Sequence, residues 1–215
     1  YTEPTIFFEY SYDIARLAQA EQIASVYVTN GYMTREMLEL FQGVTADHGP
    51  LLDAANVDLK AFRDETYKKV CGARLQPVLD SLKNMKELGV WVEVTTLVVP
   101  DMNDSVQELT DIAQFIAQEL GPETPWHVSR FHPDYQMQDR GPTPAATLRL
   151  AYELGREAGL RYVYVGNMPG AHLEDTYCPD CGRTVIGRWG FQVTERHIQD
   201  GKCAYCGAVI DGVGM

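Results

Sequence analysis

Long hydrophobic runs are missing from this sequence. No apolar stretch approaches the eighteen or so residues needed to cross a bilayer, which argues against a helical membrane span, and nothing resembles a signal peptide. Basic residues are scarce: 18 Lys and Arg stand against 30 Asp and Glu, a formal charge of -12. No Lys/Arg cluster offsets that balance, so a nucleic-acid partner is not expected. Also absent are the glycine-rich fingerprints of phosphate and dinucleotide loops and the H-E-x-x-H of zinc proteases. Cysteines spread to close loops are lacking too, since four of the five sit in two C-x-x-C pairs, a habit of metal sites in reducing compartments. Cytoplasm is the expected location. The fifth, Cys71, reads as a small buried hydrophobe. The chain opens Tyr1-Thr2-Glu3-Pro4 without an initiator Met, so its true beginning is expected to lie upstream.

What is present is a repeating α/β pattern. Five β-rich runs, at residues 24–28, 56–59, 90–99, 126–131 and 160–165, start roughly thirty-five residues apart, about the length of one β-α unit. Between them, apolar residues recur at helical spacing. Val106, Leu109, Ile112, Ala113 and Ile116 mark a helix over 105–120, with Asp104 or Ser105 as N-cap and Gly121 as stop. Val78, Leu82, Met85 and Leu88 mark another over 77–88, ended by Gly89, and a third runs over 147–158 to Gly159. Apolar strand runs without strict alternation predict a parallel sheet buried on both faces, in an α/β barrel or a doubly wound sheet. The pattern stops after Gly170, so a boundary is expected near residues 168–175, dividing 1–170 from 171–215.

The second segment carries Cys178-Pro179-Asp180-Cys181-Gly182 and Cys203-Ala204-Tyr205-Cys206-Gly207. Each pair sets two sulfurs on one side of a tight knuckle, and the following Gly permits a left-handed turn. Together Cys178, Cys181, Cys203 and Cys206 supply the tetrahedral donor set of structural zinc. An auxiliary iron–sulfur cluster is the competing occupant, because it too takes four thiolates. The residues between the pairs predict a hairpin whose Ile186, Trp189, Phe191 and Val193 pack around the site. His172 and His197, with four thiolates already in hand, read as surface residues.

Distinctive polar groups fall where the predicted strands end, the usual place for chemistry in parallel α/β sheets. Thr29-Asn30-Gly31 follows the first run and Asp58-Leu59-Lys60 closes the second. Glu93, Thr95 and Thr96 lie in the third, which ends in Val98-Val99-Pro100-Asp101-Met102-Asn103-Asp104. Arg130-Phe131-His132-Pro133-Asp134 ends the fourth, and Thr2-Glu3-Pro4 precedes them all.

In this order the segments resemble the radical S-adenosylmethionine (SAM) superfamily, in the branch of pyruvate formate-lyase-activating enzyme. The tail, with Asn167-Met168-Pro169-Gly170 and the cysteine ribbon, is similar to the radical SAM member of the AmmeMemoRadiSam system. The resemblance implies a partial (β/α) barrel, N-terminally truncated, with a small four-cysteine zinc ribbon behind it. It places Thr2 and Glu3 near the methionine amino group of SAM. Thr29 and Asn30 would line the same floor, with Asp58 and Lys60 touching SAM or an adjacent ion. His132, matched to a histidine on the last barrel strand, would lie near the adenosyl group. The family's Arg in the third of these strands has no clear counterpart, with Glu93 or Thr95 nearby instead; Tyr1-Thr2 replaces its Gly-Gly, and Val28 replaces an Asp. The C-x-x-x-C-x-x-C loop that ligates the family's 4Fe–4S cluster is not in this chain.

The implied activity is reductive cleavage of SAM to a 5′-deoxyadenosyl radical that abstracts hydrogen from a substrate, which could be a partner protein. Flavodoxin or ferredoxin would donate the electron. As a fragment lacking the cluster loop, the chain would be inactive alone. Two other readings stay open: an α/β adaptor that displays its zinc ribbon to a protein, and an aldolase-like barrel using Lys60 as Schiff-base nucleophile.

Overall fold

A computed structural model describes residues 2–168, 172–190 and 192–215. Tyr1, Pro169, Gly170, Ala171 and Phe191 lie outside the described residues, and with them part of the expected boundary, the Tyr1 replacement and the packing expected of Phe191. The backbone divides into two compact units, Tyr1–Thr95 and Thr96–Met215.

The first unit begins with a 3-10 turn, Pro4–Phe7, and continues through α1 (Phe8–Ala20), β1 (Val26–Thr29), α2 (Arg35–Phe41) and β2 (Ala54–Asp58). A short helix, α3 (Asp64–Thr66), runs into a π turn at Tyr67–Cys71, followed by α4 (Gln76–Glu87) and β3 (Trp91–Val98), whose residues from Thr96 onward fall in the second unit. The second unit holds α5 (Val106–Phe115), a π turn at Ile116–Leu120, β4 (Trp126–Arg130), α6 (Ala145–Glu157) and β5 (Val163–Gly166). Short strands close the chain: β6 (Thr176–Tyr177), β7 (Thr184–Trp189), β8 (Gln192–Arg196), β9 (Ile198–Gln199) and β10 (Lys202–Cys203).

The sheet order is β1-β2-β3-β4-β5. The β1–β2, β2–β3 and β4–β5 pairs are parallel, as strands joined by helical crossovers must be. The helices end where glycine allows a left-handed exit: φ is +82° at Gly89, +107° at Gly121 and +98° at Gly159. Ser105, not Asp104, caps α5, its Oγ accepting the N–H of Glu108 at 3.2 Å.

Burial along the strands corrects the expectation of a sheet covered on both faces. In β2 and β3, Ala55, Val57, Val92, Val94, Thr96 and Val98 are buried, while Asn56, Asp58, Glu93 and Thr95 stay half-exposed and Leu97 is exposed. In the second unit Trp126, Val128, Val163 and Val165 are buried, and His127, Ser129 and Tyr164 are not. Within each unit one strand face is therefore buried, while the other is open and mixed, its polar Asn56, Asp58, Glu93 and Thr95 lying among exposed Val26, Val28 and Leu97 along β1, β2 and β3. Each fully buried Val contributes about 1.5–3 kcal/mol, so a one-residue slip that exposed Val57 and buried Asp58 would be strongly disfavoured. On the covered face α6 comes unusually close to its strands. A Cβ at Gly155 would lie 2.8 Å from Val163 and 3.0 Å from Trp126, so only glycine fits there.

Cys71 departs from the sequence expectation. It is exposed at the end of the π turn, because that turn directs only Tyr67 into the interior.

Candidate functional site

The carboxylate of Glu3 organises the start of the first unit. Its Oε1 accepts the Thr29 hydroxyl at 2.6 Å, the Thr5 hydroxyl at 2.9 Å and the Thr5 N–H at 3.3 Å. Its Oε2 accepts the Asn30 N–H at 2.8 Å and the Asn30 side-chain amide at 2.7 Å. Burial, the largest single influence, pushes this carboxyl upward. The Thr29, Asn30 and Thr5 hydrogen bonds together outweigh it and hold Glu3 below the ordinary carboxylate value. Five donors on one carboxylate fill its lone pairs. Glu3 thus fixes the segment before the 3-10 turn against the carboxyl end of β1. Thr29 Oγ1 also accepts the Gly31 N–H at 3.0 Å. Gly31 is left-handed at φ +70°, and a Cβ there would come within 2.5 Å of Val57 Cγ1.

One strand over, Thr29 lies opposite Val57, so Asp58 follows one position beyond. Asp58 Oδ2 receives the Lys60 ammonium at 2.7 Å, with both side chains rather more than a third exposed. Asp58 pairs in register with Thr95 on β3, and Thr95 Oγ1 donates to Asn56 Oδ1 at 2.7 Å on the open face. The structure therefore gathers Glu3, Thr29 and Asn30 in one network, and sets the Asp58–Lys60 pair and Thr95 on the neighbouring strands. Thr2 is exposed in an irregular segment just before Glu3. His132 belongs to the second unit, where it is exposed two residues beyond β4. The sequence match set it on the last strand, but β5 follows β4.

Sequence reasoning missed two residues here. Asn56 shows in the sequence only as one more polar residue in a strand. Tyr67 accepts the Lys60 N–H at 3.1 Å through its hydroxyl, from a π turn that has no sequence signature.

In the second unit the four paired cysteines converge. Their sulfurs all lie within 4.8 Å of one another, with Cys178–Cys206 at 3.6 Å and Cys181–Cys203 at 3.8 Å. The two knuckles repeat the same bonds. Cys178 N–H donates to Arg183 O and Gly182 N–H to Cys178 O, as Cys203 N–H does to Ala208 O and Gly207 N–H to Cys203 O. Gly182 and Gly207 take φ of +70° and +79°. Between β9 and β10, Asp200 and Gly201 both have positive φ, which suits a two-residue hairpin turn.

The hairpin itself, β7 with β8, falls where it was expected. Its packing differs: Trp189 and Val193 are exposed, and among the described residues of that expectation only Ile186 is buried beside the cysteines. The ribbon core is instead Val185, Ile186, Ile198 and Ile210 around Cys178 and Cys203. The sulfurs share protons unevenly. Burial would raise Cys203, but the N–H groups of Tyr205 and Cys206 pull it down to about 7. Cys206 receives an N–H from Ala208 that lowers it, yet desolvation and the three neighbouring thiols push it up to about 12. Four thiols this close do not all ionise without a cation. His172 is exposed, and His197, partly covered, stacks near Tyr205 and meets Glu195, so neither joins the sulfurs.

Comparison with known proteins decides the family. The Radical SAM superfamily model matches residues 1–116, more than half of the chain. The chain belongs to the radical SAM superfamily. An uncharacterised protein of Methanocaldococcus jannaschii is 45% identical over 213 residues, which is 98% of this chain and 61% of that protein. The chain thus spans less than two thirds of its relative. Among solved structures, a domain of pyruvate-formate lyase-activating enzyme from Bacteroides vulgatus matches with a TM-score of 0.63 at 15% identity, covering 78% of this chain and 96% of the domain. Streptococcus suis SuiB bound to S-adenosylmethionine matches with a TM-score of 0.59 at 13% identity, covering 80% of this chain and 38% of SuiB. SuiB bound to its precursor peptide SuiA gives 0.56 at 16%, covering 80% and 37%. At these identities the structures show the fold, and it is the partial radical SAM barrel that the sequence order implied. Radical SAM proteins use SAM with a 4Fe–4S cluster, and among the described residues no helix is long and apolar enough to cross a membrane.

Proposed function

We propose that this chain holds SAM for a radical SAM enzyme, through Thr2, Thr29, Asn30, Asp58, Lys60 and Thr95, with Glu3 bracing the site. The observation that carries this reading is the placement of a half-exposed Asp58–Lys60 pair one register step beyond the Glu3–Thr29–Asn30 network. The amino-acid end of SAM is a zwitterion, and a carboxylate beside an ammonium offers it both opposite charges. Asn30 and Thr95, reachable from solvent, add donors and acceptors suited to ribose hydroxyls. Glu3, its lone pairs filled from within the protein, braces Asn30 and the buried Thr29, whose hydroxyl is already engaged, and leaves direct ligand contact to Asn30 and Thr2, with Thr29 shaping the floor beneath them. When bound, SAM and the cluster supply one-electron chemistry: reductive cleavage of the sulfonium and hydrogen abstraction from a substrate. This chain's cysteines do not fit that cluster, since four are gathered in the ribbon and Cys71 stands alone. The substrate class we favour is a polypeptide, because SuiB holds its precursor peptide on the same fold. His132, on the loop after β4 in the second unit, keeps the adenosyl-side role that the family resemblance implies.

For the ribbon we propose a structural zinc ion on Cys178, Cys181, Cys203 and Cys206, in a module of residues 171–215. A Zn–S bond of about 2.3 Å gives a tetrahedron with edges of roughly 3.8 Å. The Cys178–Cys206 and Cys181–Cys203 separations of 3.6 and 3.8 Å match such an edge. A four-iron cluster places each thiolate on a different iron and spreads the sulfurs further apart. With four thiolates and no open position, the ion holds the fold together and is not the seat of the reaction.

Equilibrium binding of SAM to the wild type and to Asp58→Asn tests the first proposal, and elemental analysis tests the second. Saturable binding lost in the variant, with about one zinc per chain, is expected. Absence of SAM binding, or iron in place of zinc, contradicts the corresponding claim.

A further inference from the structure

We infer that Tyr67 is a positioning residue for the SAM site: its hydroxyl holds the backbone of Lys60 so that the ammonium stays against Asp58. The inference rests on the SAM reading given above and deepens it.

Beyond β2 the ladder continues for one bond, Leu59 N–H to Thr95 O at 2.9 Å. The next N–H, that of Lys60, turns away and donates to Tyr67 Oη at 3.1 Å. On either side of Lys60, Leu59 and Ala61 are 0% and 1% exposed, so the backbone is pinned at three consecutive residues. With the main chain held there, the Lys60 side chain meets Asp58 Oδ2 at 2.7 Å.

Tyr67 is well built for this role. It is 3% exposed, although the residues that follow it in the π turn face solvent. The turn is closed by the left-handed Gly72, whose N–H donates to Tyr67 O. At the start of the same segment Asp64 accepts the Leu75 N–H at 3.1 Å and pairs with Lys68 at 2.6 Å, tying both ends of the turn down. A π turn inserts one residue into a helix and often marks a functional site. Here it swings one aromatic ring inward beneath the loop that follows β2. Burial keeps the phenol protonated, and the nearby Asp58 and Cys71 add to that, although the Lys60 N–H acts the other way.

The test compares wild type, Asp58→Asn and Tyr67→Phe in SAM affinity, thermal midpoint and hydrogen exchange at the Lys60 amide. Phenylalanine keeps the ring packing and removes only the hydroxyl. The expected result for Tyr67→Phe is a SAM affinity lower by about threefold to tenfold, faster exchange at Lys60 and a thermal midpoint within a few degrees of wild type. A merely structural tyrosine would lower the midpoint and leave affinity unchanged. If wild type binds SAM, Asp58→Asn does not, and Tyr67→Phe binds as wild type, the role of Tyr67 is overturned while the SAM site stands. Unchanged exchange at Lys60 overturns it on the structural side alone. If wild type fails to bind SAM, the site reading falls and Tyr67 falls with it.

Discussion

Thr29 donates its hydroxyl proton to Glu3 across 26 residues of sequence at 2.6 Å, and this bond fastens the start of the chain to the end of β1. Because a second oxygen of the same carboxylate takes both N–H groups of Asn30, the loop after β1 has one shape before any ligand arrives. SAM bound there, as proposed, would lose less entropy than on a mobile loop.

The Glu3 network makes a prediction about acid. The folded carboxyl sits below its ordinary value, so the folded state favours the charged form and the unfolded chain takes up a proton more readily. The stabilisation is present above the ordinary carboxylate value and is lost as pH falls through the depressed one. Glu3→Gln removes it. The variant should melt below wild type at about pH 7, and the gap should close as pH drops below about 4. A gap that widens in acid would contradict the assignment. The effect is modest, since Glu3 is only partly buried.

Gly31→Ala should destabilise the first unit by about 1–3 kcal/mol, because alanine must take a left-handed backbone and meet Val57 at 2.5 Å. Gly141→Ala, with no atom near the added methyl, should stay within about 0.5 kcal/mol. Chemical denaturation of both variants measures the difference, and equal effects would show that the close contact at Gly31 relaxes freely.

The Asp58–Lys60 pair should matter for ligand and little for stability. Half-exposed ion pairs contribute about 0–1 kcal/mol, so Asp58→Asn should leave the thermal midpoint nearly unchanged. A large drop in the midpoint would make the pair a folding element.

Thiol titration separates the cysteines. In the metal-loaded native protein one thiol, exposed Cys71, should react with a disulfide reagent; after chelation in denaturant all five should. Five fast thiols before chelation would argue against a metal at the ribbon.

Much of this was legible in the sequence, and the failures have physical causes. Strands β1 to β5 and helices α4, α5 and α6 announce themselves by branched runs and by helical spacing that ends at a glycine, whereas the two-residue strands β6, β9 and β10 are too short to leave a pattern. Helix α1 does not, because among its residues only Ala15 is buried, while Tyr10, Ile14 and Leu17 are exposed and blur the polar face. The strands look apolar enough for burial on both faces, yet Asn56, Asp58, Glu93 and Thr95 occupy alternate positions and reserve one face for water or ligand. In the ribbon, the apolar side chains Trp189 and Val193 suggest a core, but they sit toward the hairpin tip, and Val185, Ile186, Ile198 and Ile210 surround the sulfurs. The cysteine spacing carries its own geometry and needs nothing from the rest of the fold. Tyr67 depends on a π turn, which depends on tertiary packing and leaves no local pattern.

Amide chemical-shift mapping of the 215-residue protein with SAM is the most direct test of the central claim. The account predicts saturable shifts at Thr2, Thr29, Asn30, Asp58, Lys60 and Thr95, with the cysteine knuckles unmoved. Shifts confined to the cysteine ribbon, or none anywhere, would contradict it.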